Sequence, residues 1–135
     1  MKEPLNISFD EAINSFNGIF FWQDDAEAGK PDILYSESVL GVTGFLGSEI
    51  KELKDGWLSL IIKEFKPAYK RKLDELEKNP DKDSVKLDYK ITRKDGTVIP
   101  VSERINVSRD PVGKIVKRFG FVLDVSDYLS EMRSS

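Results

Sequence analysis

"SVKLDYKITRKDGTVIPV", residues 84–101, carries the plainest structural signal in the chain. Val85, Leu87, Tyr89 and Ile91 alternate with Lys86, Asp88, Lys90 and Thr92. Successive side chains of a strand point to opposite faces, so a period of two predicts an antiparallel strand with one face buried and the other in water. Asp95-Gly96 predicts a tight hairpin turn built on residues with φ > 0, with a second strand starting at Thr97. A further turn around Asp110-Pro111-Val112-Gly113 predicts a last strand over about 114–125, in which Ile115, Phe119, Phe121, Leu123 and Val125 share a parity.

Toward the N-terminus the period changes twice. "GIFFWQDD", residues 18–25, is an apolar and aromatic run too short for a helix, and predicts a strand buried on both faces. A loop through Gly29-Lys30-Pro31 leads to a second strand over 33–36, and the two can pair as a hairpin. The pattern then turns helical in fragments. Ser36 or Ser38 can cap a turn containing Val39, Leu40 and Val42, with Gly44 as its stop; Ser48 and Glu49 can start another; "DGWLSLI", residues 55–61, brings Trp57, Leu58, Leu60 and Ile61 to the core. A longer helix is predicted over about 63–78, where Phe65, Tyr69, Leu73 and Leu76 form a stripe and Pro67 is tolerable only in the first turn. At the start of the chain Ser8 and Glu11 form a capping box, and Phe9, Ile13 and Phe16 recur on one face of a short amphipathic helix that stops at Asn17-Gly18.

Composition removes whole classes of chemistry. The 135 residues contain no cysteine and no histidine, so a disulfide, a thiolate nucleophile, a typical zinc site, a Ser-His-Asp triad and a His-ligated haem are all excluded. A hydrophobic content of 39% beside 33% charged residues is that of an ordinary globular domain. No apolar stretch approaches the ~20 residues of a membrane helix, and the N-terminus lacks the layout of a secretory signal, so the chain is expected in the cytoplasm. The net charge of −3, with both signs interspersed, argues against a nucleic-acid surface.

The element order and four segments together resemble the PAS domain family with its C-terminal PAC motif. "ILYSESVLGVTGF" (33–45) is similar to the family's strand followed by a short helix ending T-G-Y/F. "GWLSLI" (56–61) is similar to its W-x-x-x-I, and "DYKITRKDGTVIPV" (88–101) to its E-Y-R-x-x-R-x-D-G-x-x-x-W-V. "GKIVKRFGFVLDVSD" (113–127) is similar to its G-x-V-x-x-x-x-G-x-x-x-D-I-T-E. Where many relatives show His-Pro-x-Asp before the long helix, this chain reads Ile62-Lys63-Glu64-Phe65. The resemblance implies an α+β fold: a five-stranded antiparallel sheet with short helices and one longer helix packed on one face, to which the N-terminal amphipathic helix is added. It implies a cap helix over 1–17, a sensory domain over 18–125, and the start of a signalling helix or linker over 126–135.

Under that resemblance Phe20, Phe21, Trp22, Tyr35, Trp57, Tyr89, Phe119 and Phe121 are candidates for lining a ligand cavity, although most aromatics in a domain of this size are simply core. Trp22 and Tyr89 are favoured because a buried polar tip wants a partner. Glu103 shares the parity of Val101, Ile105 and Val107, so a regular strand aims it at the interior, where an unpaired carboxylate is expensive; either it binds something or a bulge turns it outward. Arg104 and Arg118 are its possible partners, the plainer reading being exposed strand arginines. Asp124, Val125, Ser126 and Asp127 match the family's output motif, with Ser126 or Asp127 as helix cap and Val125, Leu129 and Met132 as the seam of the helix that follows.

The function expected from the resemblance is sensory. The domain would bind a small molecule or partner and pass a conformational signal to an effector downstream in the natural protein, a histidine kinase or a GGDEF-type diguanylate cyclase. It is not expected to be an enzyme. A homodimer is expected, with Phe9, Ile13 and Phe16 at the interface or capping the sheet, and no membrane contact. Flavin bonded to cysteine is excluded by composition, as is His-ligated haem; non-covalent flavin, an organic acid, a fatty acid or an empty interior all fit the residues. Two rivals are a ligand-free dimerisation module and a small α+β cone enzyme of the ketosteroid isomerase kind with Glu103 as base. Element order speaks against the enzyme, because that fold opens with long helices.

Overall fold

The structure, a computed structural model, describes residues 11, 17–25 and 32–129. The N-terminal helix expectation with Phe9, Ile13 and Phe16, the loop at Gly29-Lys30-Pro31, and Met132 lie outside the described residues. Five strands form one antiparallel sheet: β1 (Ile19–Asp25), β2 (Ile33–Tyr35), β3 (Ser84–Thr92), β4 (Val98–Arg109) and β5 (Ile115–Asp124). Their spatial order is β2-β1-β5-β4-β3, which puts the first and last strands side by side in the middle. Between β2 and β3 come α1 (Val39–Thr43), α2 (Gly47–Glu52), two 3-10 turns (Gly56–Ser59 and Lys63–Phe65) and α3 (Lys66–Lys78). Among the described residues no helix is long and apolar enough to cross a membrane.

The alternation read in residues 84–92 is what β3 shows: Val85, Leu87, Tyr89 and Ile91 are buried and the lysines between them exposed. The turn differs in one respect. Only Gly96 takes positive φ, at 89°, while Asp95 keeps an ordinary backbone and uses its carboxylate instead, accepting the Thr97 N–H at 2.9 Å. An aspartate side chain closing a turn onto the amide two residues on needs no left-handed backbone.

β1 is not buried on both faces as its composition suggests. Phe20, Trp22 and Asp24 are buried, while Ile19, Phe21 and Gln23 are only half-buried. The helices cover one face of the sheet, so each strand has an inner and an outer side. On the inner side Val85, Leu87, Tyr89 and Ile91 of β3 meet Val101, Glu103, Ile105 and Val107 of β4, Val122 of β5, and Phe20 and Trp22 of β1.

Phe119 and Phe121 are on the other side. A register shift between Ser108 and Arg109 opposite the start of β5 breaks its parity, so buried Ile115 does not share a face with them. Phe121 lies opposite Phe21, their rings 5.4 Å apart, and Phe119 lies opposite Gln23. A bulge adds one residue to one strand only, and every side chain beyond it changes face. Continuous alternation over 115–125 is therefore corrected: the inner residues of β5 are Ile115, Arg118, Gly120 and Val122.

Two of the helix boundaries are set by a residue whose own backbone decides them. Gly44 (φ 79°) ends α1 in the left-handed conformation that favours glycine, and its N–H donates to Leu40 O at 2.8 Å. Ser38 occupies the N-cap of α1 without a side-chain cap bond, its hydroxyl being paired with Ser36 Oγ at 2.8 Å. Pro67 sits in the first turn of α3, where its missing N–H has no helical partner to lose. Beyond Gly18 (φ 84°) the chain runs into β1, and at the far end of β5 the Asp124 N–H donates back to Gly18 O at 2.7 Å.

Candidate functional site

Glu103 is 1% exposed on the inner face of β4. Its two oxygens are held by two different donors. Trp22 Nε1 of β1 donates to Oε2 at 2.8 Å, and the Tyr89 hydroxyl of β3 donates to Oε1 at 2.6 Å. Tyr89 in turn accepts from Trp57 Nε1 at 2.9 Å. Four residues far apart in sequence thus form one buried chain of hydrogen bonds.

Each donor reaches its place for a local reason. Trp22 faces Gly120 across the β1–β5 ladder, and a Cβ at that position would stand 3.0 Å from Trp22 Nε1 and overlap the Arg104 carbonyl oxygen. The glycine leaves room for the indole to cross β5 toward β4. Trp57 is held by its 3-10 turn, which is pinned to β3 where Thr92 N–H donates to Leu60 O at 2.8 Å and Ile62 N–H donates to Lys90 O at 3.0 Å. Tyr89 is steered from above by Tyr69 of α3, their rings edge to face at 5.5 Å.

Beside this network is a cavity of about 40 Å³ lined by Phe20, Trp22, Ile33, Tyr35, Trp57, Tyr69 and Glu103. Phe20 packs edge-on to Trp57 at 5.4 Å and tilted to Tyr35 at 6.1 Å. Only Ile33 and Tyr35, from the three-residue edge strand β2, are half-exposed; the other lining residues are buried. The volume admits about three water-sized groups, well below the several hundred cubic ångströms of a pocket for a large ligand.

Burial pushes the Glu103 carboxyl up to about 7, against the hydrogen bonds from Tyr89 and Trp22 that favour its anion. Burial also raises the hydroxyls of Tyr69 and Tyr89 well above the usual phenol range, and that of Tyr35 in the same direction, with Glu103 adding to each. The tyrosines are therefore neutral donors, and Glu103 is the one group lining the cavity that changes charge near neutral pH.

Of the sequence-derived candidates, Phe20, Trp22, Tyr35, Trp57, Tyr89 and Glu103 converge at this site, whereas Phe21, Phe119 and Phe121 stand on the opposite face of the sheet. Arg104 is exposed, and Arg118 pairs with Glu77 and Asp24, so neither answers Glu103. Two lining residues were not singled out: Ile33 and Tyr69. The α3 stripe through Tyr69 is the signal that points to one of them.

At the end of β5 the Asp124 carboxylate accepts from Ser126 N–H at 2.9 Å and from Ser126 Oγ at 2.6 Å. A helical turn follows, with Leu129 N–H donating to Val125 O at 3.0 Å, while Val125 N–H donates to Pro100 O of β4 at 3.1 Å. The cap is thus supplied by Asp124 and not by Ser126, whose hydroxyl is a donor to it. Asp127 and Leu129 are exposed and Val125 half-buried. Among the described residues no group of three or more His, Cys, Asp or Glu side chains is placed to hold a metal ion.

A family model described as the PAS fold matches residues 32–122. Among solved structures, the chain is similar to the N-terminal domain of a diguanylate cyclase with PAS/PAC sensor from Marinobacter aquaeolei, at 15% identity and a TM-score of 0.67, covering 82% of this chain and 97% of that one. It is also similar to a sensory box histidine kinase/response regulator from Burkholderia thailandensis, at 16% identity and a TM-score of 0.64, covering 86% and 83%. A domain of a putative light and redox sensing histidine kinase from Haloarcula marismortui matches at 15% identity and a TM-score of 0.63, covering 82% and 92%. No curated protein matches the sequence.

Proposed function

The chain belongs to the PAS family, and from that premise we propose that it is a sensory input module whose ligand occupies the cavity beside Glu103 and whose output leaves through Asp124. One observation carries the reading. Glu103 lies opposite Val122, and Val101, two residues earlier on β4, lies opposite Asp124, so the cavity carboxylate and the exit cap share one stretch of ladder. A ligand that favours one arrangement of Glu103 and its donors biases β4 against β5 at the point where the exit helix is capped. It does so only to the extent of its differential affinity for the two arrangements. The effector is a histidine kinase or diguanylate cyclase, the kinds of protein in which similar domains are found, and the module itself has no catalytic role.

Asp124→Ala tests the output half. Removing a helix cap costs about 1 kcal/mol, so the cooperative unfolding of the sheet should stay within about 2 kcal/mol of the parent. Coupling should be lost. Residues 1–135 grafted onto a kinase or cyclase that responds to the module give both quantities. Outright unfolding would make Asp124 structural, and parental signalling would remove it from the output path.

The outer face of the sheet favours a second role alongside the first. Ile19, Phe119 and Leu123 form an apolar strip there, Leu123 being 42% exposed, and such strips on a sheet face mark association surfaces. Phe119→Glu should shift a dimer to monomer in light scattering while leaving the unfolding transition cooperative. An unchanged mass would exclude this strip from the interface.

A further inference from the structure

We propose that the Glu103 cavity recognises a small alkylammonium cation, because five aromatic side chains and a buried carboxylate with no cationic partner among the described residues close on one space. The inference rests on the sensory reading above and names the ligand class of the same site. A carboxylate taken out of water is stable when a positive group answers it. None of the ion pairs among the described residues involves Glu103. The two donors that do reach it, Trp22 and Tyr89, are neutral, and each takes only one lone pair of its oxygen. Each oxygen keeps a lone pair for a further N–H.

The rest of the wall suits the same ligand. Phe20, Trp22, Tyr35, Trp57 and Tyr69 surround the space, and the faces of such rings attract cations, most strongly when the site is dry. Methyl groups on nitrogen match an apolar wall and lower the cost of leaving water, whereas bare ammonium is strongly hydrated. An anion would face Glu103 without a positive group among the lining residues. The cavity of about 40 Å³ admits about three water-sized groups, which sets the ligand at dimethylammonium size, with access past Ile33 and Tyr35 on the half-exposed β2 side.

The site also predicts how binding varies with pH. The titratable and charged groups around Glu103 are Tyr89 of β3, Tyr69 of α3, Tyr35 of β2, and Asp24 of β1 with Arg118 of β5 beside it. The tyrosines stay protonated through neutral pH, so Glu103 alone sets the response. A cation must meet the anion, and its affinity should fall by at least about tenfold as the pH is lowered well below 7.

The chain has two tryptophans, and both line the cavity, so intrinsic fluorescence reports this one site. Dimethylammonium chloride should give a saturable change at a pH of about 8, weakening on acidification, while its neutral near-isostere ethanol and sodium chloride at matched concentration give none. Glu103→Gln keeps the shape and should bind the cation at least about tenfold more weakly. If that variant does not fold, the comparison of cation with isostere on the parent decides. No response to dimethylammonium, or an equal response to ethanol, overturns the cation. The sensory reading is judged separately by the grafted effector, so a module that signals through Asp124 yet ignores the cation loses only the ligand class.

Discussion

Between a pH of about 4.5 and about 7, the parent is expected to lose about 3 kcal/mol of stability relative to Glu103→Gln. Glu103 has its carboxyl raised from 4.5 to about 7 by burial. In that window the folded chain holds a proton that the unfolded chain has released. The contribution is fully present below the unfolded value and is lost as pH rises through the folded one, which is opposite to the usual carboxylate. Glu49, Glu75 and Asp95 behave the usual way: lysine or threonine hydrogen bonds lower them, so their small stabilisation is lost as pH falls. These exposed groups are common to both proteins and cancel in the difference. Gln accepts from Trp22 and faces Tyr89 without titrating, so urea unfolding of the pair across this range isolates Glu103. Parallel profiles would mean that water reaches the carboxylate freely.

Gly120→Ala should be the most damaging single-methyl change in the sheet, at about 2 to 4 kcal/mol. The added Cβ overlaps the Arg104 carbonyl oxygen of the neighbouring strand and presses on the Trp22 indole. Relief requires either opening the β4–β5 ladder or moving Trp22 off Glu103, and the second leaves a buried carboxylate oxygen short of a donor. Gly41→Ala is the matched control. Nothing lies within 4 Å of its Cβ position on α1, and alanine is the better helix former, so stability should hold or rise. Tryptophan emission should shift with Gly120→Ala and stay put with Gly41→Ala. A Gly120→Ala protein within about 1 kcal/mol of the parent would show that the indole has another resting place.

What could be read from sequence followed how local the signal was. β3 was legible because its buried and exposed residues alternate without interruption, and Gly44 and Pro67 announced helix boundaries by properties of their own backbones. β5 misled because its parity depends on a bulge opposite Ser108 and Arg109, a fact of pairing between two strands that neither records alone. That bulge sent Phe119 and Phe121 to the outer face. β1 misled in another way: its aromatic content suggests burial on both sides, but burial is decided by what other elements cover. Glu103 was legible as an anomaly, a carboxylate with the parity of core valines. Its donors were not, since Trp22 and Tyr89 lie 81 and 14 residues away and meet it only through the order β1-β5-β4-β3. The part played by Gly120 was hidden for the same reason: its motif position is visible, but the indole that needs the space belongs to a distant strand.

The hydrogen bond from Asp124 N–H to Gly18 O ties the beginning of β1 to the end of β5, two antiparallel neighbours at the centre of the sheet. Tension applied across these two points would not shear the ladder. It would open it like a zip, loading the Gly18–Asp124 bond first, then the pair Ile19 and Leu123, and then each pair in turn. Bonds broken one at a time resist little, so the domain is mechanically soft along the line joining its two ends. A tug on the exit helix would be felt first at the cap beside Asp124, and only after several broken pairs at Trp22 opposite Gly120.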